Sequence, residues 1–243
     1  MSASGVTVDR QDGVMTVTLA RPEKANALSA EMAEGLLAAM AEAEREQVRA
    51  IILRGDGRHF CAGFDFGDFD ALSDGDLVLR FLHVETMLQA VFHAPAPVLA
   101  LVQGRAIGAG SDLAAAAMKV VATPGARLQM PGPRFGVVLG TRRLAYRIGN
   151  VKARQIQIEN RPVAAEEALA LGLVDALAEQ DAWEAIASDF VASYTHLTPG
   201  TVDALSDVTR PDTRDADMAA LARSVATPGL KARIAAFRAA AAR

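Results

Sequence analysis

Apolar residues follow two different patterns along this chain, and both predict β-strands. The stretch Val14–Leu19 alternates between apolar and polar residues, which is typical of a strand with one buried face. The runs at 48–53 and 98–102 are almost continuously apolar and predict strands that are buried on both faces. Shorter apolar runs at 119–122 and 126–130 predict two further strands.

Helical spacing appears between these strands. Ser29 is a predicted N-cap, and a stripe of apolar residues at positions 32, 36, 40 and 43 follows it. Helices are also predicted at 77–92 and 110–117, and the chain beyond Asp181 is mostly helical with a polar break at 209–213. Strands that alternate with helices indicate an α/β core.

Composition narrows the functional classes. The chain has 243 residues, of which 51% are hydrophobic, and a net charge of -4 that gives no general affinity for nucleic acid or anionic membrane. The single cysteine, Cys61, excludes an internal disulfide and fits a reducing compartment. Charged residues and prolines interrupt the longest apolar region, 94–125, and no apolar leader follows Met1, so we expect a cytoplasmic protein that does not enter a membrane.

Two short glycine-containing segments carry the candidate chemistry. Residues 59–65 read HFCAGFD and residues 104–112 read GRAIGAGSD, and each segment follows one of the two fully buried strands. Loops that leave neighbouring strands can place two backbone N–H groups side by side, which forms an oxyanion hole for a carbonyl oxygen that gains negative charge. The alternative is that these glycines serve only tight turns.

At these segments the chain resembles the crotonase (enoyl-CoA hydratase/isomerase) superfamily. Residues 60–65 match its F-[SC]-A-G-x-D motif, and 103–112 match its N-G-x-A-x-G-G-G-x-[ED] motif. Residues 21–28 resemble its R-P-x-x-x-N-A-L loop. Residues 161–175 resemble its R-x-[IV]-x-A-x-E-A…G-L-V-D stretch, so four motifs occur in the family's order.

The resemblance implies a fold, a substrate class and an assembly. The implied fold is α/β, a crotonase-like spiral of ββα units over residues 1–190 with a small helical C-terminal portion over 191–243. The implied substrate is an acyl-CoA thioester, and coenzyme A enters as part of that substrate, so neither a separate cofactor nor a metal is expected. The region 161–174 resembles the family's subunit-contact helix, which implies a homotrimer or hexamer.

Individual site residues also follow from the resemblance. The oxyanion donors would be the backbone N–H groups of Phe64 and Ala109, and Asp112 stands at the first catalytic acid position of the family. Lys24 would contact the coenzyme A phosphates, and Asp65 and Phe66 would lie near the adenine. The complete set of expected coenzyme A contacts is Lys24, Ala25, Ala27, Ala62, Asp65 and Phe66.

The chain departs from the family at the second catalytic acid. The family motif P-E-x-x-x-G reads PGPRFG at 131–136, so Gly132 replaces the glutamate, and the following stretch, 137–144, is shortened. Gly132 is expected to leave space for a larger acyl group or for a substrate carboxylate near Arg134. Hydration is expected to be slow because one acid/base group is missing. Isomerisation, decarboxylation and thioester hydrolysis stay open, as does a non-catalytic CoA-binding homologue. RNA binding is disfavoured by the acidic net charge.

Two carboxylates have alternative interpretations. Asp112 could instead cap a helix or pair with a charge, since an acid in the first turn gains about 0.3–1 kcal/mol from the helix dipole. Glu85 is a spare acid/base candidate, although its helix position favours a solvated face. The basic residues between 113 and 158 are interpreted mainly as solvated or as partners for acids elsewhere in the chain. The alternative is that they attract the coenzyme A phosphates or contact a neighbouring subunit.

Overall fold

The computed structural model describes residues 4–241, which form a mixed α/β fold. The strands are β1 (Val6–Gln11), β2 (Val14–Leu19), β3 (Ala50–Gly55), β4 (Val98–Val102), β5 (Arg105–Ile107), β6 (Lys119–Ala122), β7 (Arg127–Gln129), β8 (Val163–Ala164) and β9 (Ala176–Leu177). The helices are α1 (Ala30–Glu46), α2 (Asp74–Phe92), α3 (Ala109–Ala116), α4 (Thr141–Ile148), α5 (Asn150–Glu159), α6 (Ala165–Leu171), α7 (Trp183–Ala192), α8 (Pro199–Thr209), α9 (Arg214–Val225) and α10 (Leu230–Ala241). The two segments predicted from the sequence, 1–190 and 191–243, begin and end at residues that lie outside this described range.

The strands form two sheets. The larger sheet has the order β1-β2-β3-β4-β6-β9, in which β1 is antiparallel to β2 and the remaining neighbours are parallel. The smaller sheet has the order β5-β7-β8, with β5 and β7 parallel. All five residues of β4 are buried, as expected for a central parallel strand with both faces covered.

Three successive turns of the chain repeat one arrangement. Each turn has a strand in the larger sheet, then extended residues in a second layer, then a helix: β3 with Cys61 and α2, β4 with β5 and α3, and β6 with β7 and α4. In the second layer Cys61 pairs with Ala106, and Ala106 pairs with Leu128. This repetition confirms the spiral of ββα units, and it brings equivalent positions of successive turns side by side.

Most of the predicted elements are present, with small differences at their ends. Ser29 caps α1 by accepting a hydrogen bond from Met32 N at 3.2 Å. Strand β3 begins two residues later than predicted, because Val48 N still donates to Ala43 O at the end of α1. Helix α2 begins earlier than predicted, because Ser73 and Asp76 form a reciprocal capping box there.

The C-terminal helices pack against the core near the predicted site. Helices α9 and α10 contact α2, and Leu221 and Ile234 are fully buried against Phe81 and Phe135. The polar break predicted at 209–213 separates α8 from α9. Within residues 4–241 no helix is long and apolar enough to cross a membrane.

Candidate active site

The two glycine-containing segments lie side by side at equivalent points of two turns. Ile107 N donates to Cys61 O at 2.9 Å, and Cys61 N donates to Arg105 O at 3.1 Å. Gly63 has a φ of +83°, and a Cβ atom there would lie 2.2 Å from Ile107 O and 3.4 Å from Ala109 N. Only glycine permits this approach, which brings the turn at Gly63 against the start of α3.

Where these segments meet, the backbone N–H groups of Phe64 and Ala109 have no hydrogen-bond acceptor within residues 4–241. Phe64 N–H donates to no acceptor among the described residues, whereas the N–H of the next residue, Asp65, donates to Leu28 O. Ala109 is the first residue of α3, so its N–H has no acceptor within the helix. Gly108 precedes it as the N-cap, and its own N–H donates to Gln129 O at 2.7 Å.

The side chain of Phe64 fixes the first of these two segments. Its ring stacks on Phe81 with a centroid distance of 4.5 Å, and the guanidinium of Arg80 lies over it at 4.4 Å. Arg80 also donates to Asp65 O at 3.0 Å. The ring therefore packs on α2, and this contact holds the backbone of the loop in one conformation.

Asp112 is buried one turn into α3. It is 4% exposed, and its Oδ1 atom is buried without a hydrogen-bond partner among residues 4–241. Asp112 stands in the first turn of α3, and among the described residues it forms neither a cap hydrogen bond nor an ion pair. The carboxyl lies instead against Gly140, where an added Cβ would be 2.2 Å from Oδ1.

Burial changes the protonation state of Asp112. Desolvation raises the pKa of its carboxyl to about 8, while Arg143 acts to lower that pKa and Glu85 acts to raise it. A carboxyl with this pKa is mainly protonated at pH 7.

Glu85 is not on a solvated helix face, so that expectation is wrong. It is 1% exposed and forms a two-bond ion pair with Arg143, with Nη1–Oε1 at 2.9 Å and Nη2–Oε2 at 2.5 Å. Arg143 is itself only 2% exposed. One sequence signal could have found this, because Phe81 and Leu88 are four residues before and three residues after Glu85, which places Glu85 on the apolar face of α2.

The segment that carries Gly132 also reaches this site. Pro131 lies beside Gly108, since an added Cβ at Gly108 would be 3.7 Å from the proline ring. A Cβ at Gly132 would be only 2.9 Å from Val137 O, and Val137 N donates back to Gly132 O at 2.9 Å. A side chain at position 132 would therefore require the carbonyl of Val137 to shift, and the expected space for the acyl group stays a prediction.

Comparison with known proteins agrees with this geometry. A sequence model described as enoyl-CoA hydratase/isomerase matches residues 9–227. The chain belongs to the enoyl-CoA hydratase/isomerase family. It is 38% identical over 192 residues to a "Probable enoyl-CoA hydratase" of Rhodobacter capsulatus, covering 76% of this chain and 70% of the relative. It also resembles a solved structure from Bordetella parapertussis that carries an enoyl-CoA hydratase/isomerase name, with 45% identity, a TM-score of 0.95, and coverage of 97% and 98% of the two chains.

The family's R-P-x-x-x-N-A-L loop is organised around the buried side chain of Asn26. Its Nδ2 donates to Asp56 O at 2.9 Å and to His59 O at 2.8 Å, and its Oδ1 accepts from Arg21 N at 2.9 Å. Ala25 and Asn26 both adopt positive φ values, 50° and 55°. These bonds hold the loop against the segment that leads to Phe64.

The backbone groups expected to contact coenzyme A are partly used inside the chain. Ala62 N donates to Ala25 O, Ala25 N donates to Pro22 O, and Ala27 N donates to Lys24 O. Any contact at these three alanines therefore has to use their carbonyl oxygens. The Lys24 side chain is exposed and has no ion-pair partner among residues 4–241, so it is available to a phosphate.

Asp65 and Phe66 are held by neighbouring cations. Asp65 pairs with Arg21 at 2.8 Å and accepts a hydrogen bond from Gly67 N at 2.8 Å. Burial acts to raise the pKa of Asp65, but these bonds hold that pKa below its ordinary value. Phe66 is half-buried, and the guanidinium of Arg238 lies over its ring at 5.5 Å. In the described chain no group of three or more His, Cys, Asp or Glu residues is arranged to hold a metal ion.

Proposed function

We propose that the protein binds acyl-CoA thioesters and stabilises an enolate or oxyanion with the N–H groups of Phe64 and Ala109. The observation that carries this proposal is the close approach of Gly63 to Ala109 N. Among the described residues, the N–H groups of Phe64 and Ala109 have no acceptor there. Fixed donors of this kind stabilise developing charge without reorganising, and losing one costs about 10²–10³ in rate. Membership of the enoyl-CoA hydratase/isomerase family supports the substrate class. Coenzyme A is then part of the substrate and not a separate cofactor.

Asp112 is the proposed proton donor. It follows Ala109 by three residues, so the carboxyl and the second donor belong to the same turn of α3. Its buried and mainly protonated carboxyl would deliver a proton to the α-carbon of an enolate whose oxygen is held by the two N–H groups. The resulting carboxylate would then regain a proton from water.

The acid form of Asp112 favours decarboxylation among the family's reactions. In that reaction the bond from the α-carbon to a substrate carboxylate breaks, its electron pair enters the thioester enolate, and carbon dioxide leaves. Asp112 then protonates the α-carbon, so no base is required. Hydration, isomerisation and hydrolysis each need a group that first accepts a proton, and Gly132 supplies none at the second acid position.

The decisive experiment compares a panel of CoA thioesters on the native protein and on Ala109→Pro. Proline removes the N–H yet is well tolerated at the first residue of a helix. We expect kcat/KM on the best substrate to fall about 10²–10³-fold, with binding of coenzyme A nearly unchanged. Ala109→Ser keeps the N–H and is the matched control.

Two results would count against this function. Unchanged turnover by a folded Ala109→Pro variant would remove the oxyanion hole from the mechanism. Tight CoA binding without turnover of any hydratable, isomerisable, decarboxylatable or hydrolysable thioester would establish the non-catalytic CoA-binding alternative.

We also propose the homotrimer or hexamer that the family resemblance implies. Several large apolar side chains are exposed on α4, α5 and α6, and a subunit contact would cover them. They are Tyr146, Val151, Ile158 and Leu169. The cytoplasmic location stays a prediction.

A further inference from the structure

A cluster of buried charges lies behind Asp112 and has no part in the mechanism proposed above. Glu85 comes from α2, Arg143 from α4 and Asp217 from α9, and all three are less than 9% exposed. Charged side chains are seldom buried unless they are paired, because removing them from water is costly. Four helices, including α3 with Asp112, therefore meet at a site that requires an explanation.

The guanidinium of Arg143 is held from two sides. Glu85 forms two bonds with it, at 2.9 and 2.5 Å, and Asp217 Oδ2 lies 3.4 Å from Nη1. Asp217 is fixed in turn by Arg142 at 2.9 Å and by the hydroxyl of Thr213 at 2.6 Å. Both terminal nitrogens of Arg143 thus point to carboxylates other than Asp112.

The cluster is electrically balanced without Asp112. Its two guanidinium groups, on Arg142 and Arg143, match the two carboxylates of Glu85 and Asp217. An ionised Asp112 would add one uncompensated negative charge to a buried site. Within the described chain Arg143 forms ion pairs with Glu85 and Asp217 but not with Asp112, and its Nε atom is buried without a hydrogen-bond partner.

We propose that Glu85, assisted by Asp217, is a positioning residue that holds the guanidinium of Arg143 away from the carboxyl of Asp112. Glu85 on α2 and Arg143 on α4 are the charged groups that act on Asp112 from the helices packed against α3. The strand packed on α3, β5, carries Arg105, which is exposed. The use of Asp112 as an acid in turnover rests on the proposed function, whereas the protonation state of Asp112 does not depend on that function.

The test measures the titration of Asp112 directly by infrared difference spectroscopy. The C=O band of its protonated carboxyl is identified by its loss in Asp112→Asn. Glu85→Gln keeps the size of the side chain and removes its charge, which frees Arg143 to act on Asp112. We expect the Asp112 pKa to fall from about 8 by about 1–3 units.

Two further variants keep the test valid if Glu85→Gln folds poorly. Asp217→Asn should lower the Asp112 pKa by a smaller amount, because its contact with Arg143 is longer. Arg143→Gln should raise the pKa, since it removes the positive charge that acts to lower it. Glu167→Gln, in an exposed ion pair with Arg161, is the matched control and should leave the titration unchanged.

The outcomes separate this inference from the proposed function. An Asp112 titration that is unchanged or raised in Glu85→Gln overturns the positioning role, whatever happens to activity. Opposite shifts in Glu85→Gln and Arg143→Gln support it, because a purely structural role would not give opposite signs. If those shifts occur while the pH profile of thioester turnover stays fixed, the positioning role holds and the use of Asp112 as the catalytic acid fails.

Discussion

Gly140→Ala is the substitution with the sharpest expected consequence at this site. Gly140 has a φ of +65° and ψ of 0° as the N-cap of α4, and it lies against the carboxyl of Asp112. An added Cβ would be 2.2 Å from Asp112 Oδ1 and 2.5 Å from its Cγ, well inside van der Waals contact. Either the carboxyl or the start of α4 must therefore move.

The size of the effect follows from two separate costs. A left-handed conformation costs a non-glycine residue about 1–2 kcal/mol, and overpacking a buried site typically costs about 1–3 kcal/mol more. Gly172 isolates the first cost, because it has a similar conformation, φ 81° and ψ 13°, and an added Cβ there would meet nothing closer than 3.6 Å. Gly140→Ala should thus destabilise the protein by about 1–3 kcal/mol more than Gly172→Ala does.

Urea unfolding at matched protein concentration measures that difference, and turnover of the best CoA thioester measures its functional consequence. A displacement of the acid by about 1 Å is expected to reduce turnover by about 10²-fold. Gly172→Ala should keep near-native turnover, since an added Cβ there would meet only the backbone oxygen of Arg147, at 3.6 Å. Equal destabilisation by the two variants, together with normal turnover in Gly140→Ala, would refute the packing of Asp112 described above.

Three further predictions concern the chemistry, pH dependence and assembly. Hydration of crotonyl-CoA should be about 10²–10⁴-fold slower than by an efficient hydratase, and rapid hydration by the native protein would contradict this. Gly132→Glu should not restore hydration, because the new side chain would clash with Val137 O. The folded pKa of Asp112 lies above its ordinary value of 3.8, so the stability linked to its proton is lost as pH rises from about 4 through about 8. Asp112→Asn should therefore gain stability relative to the native protein over that range, by at most roughly 5 kcal/mol in urea unfolding, and a constant difference would disprove the raised pKa. Light scattering should show a trimer or hexamer, and a stable monomer at micromolar concentration would reject the assembly.

Features set by local sequence could be predicted, because short-range patterns determine them. The alternation at Val14–Leu19 and the continuous apolar run at Val98–Val102 each became a strand with the predicted bounds. Ser29 was identifiable as a cap because its side chain bonds within its own helix. The two glycine-containing segments were recognisable because Gly63 and Gly108 need positive φ values that other residues rarely adopt.

Features that depend on distant parts of the chain, or on the exact shape of an irregular turn, could not be predicted. The partner of Glu85 is 58 residues away, and Asp217 is 74 residues beyond Arg143, so no periodic pattern connects these charges. The contact of Gly132 with Val137 O depends on a local 3₁₀ turn at 132–135 whose shape the motif did not indicate. In both cases the sequence identified the residue, while packing determined its surroundings.

Asp112 shows why a family position does not by itself define a chemical role. A solvated aspartate has a pKa near 3.9 and is a carboxylate at neutral pH, which suits a base. Here the carboxyl is buried against Gly140, and Glu85 engages the cation that could otherwise stabilise its charge. These residues come from different turns of the spiral, so the packing of one turn on the next sets the acidity of the group. Substitutions at 85 or 140 should therefore alter the chemistry of the site without contacting the substrate.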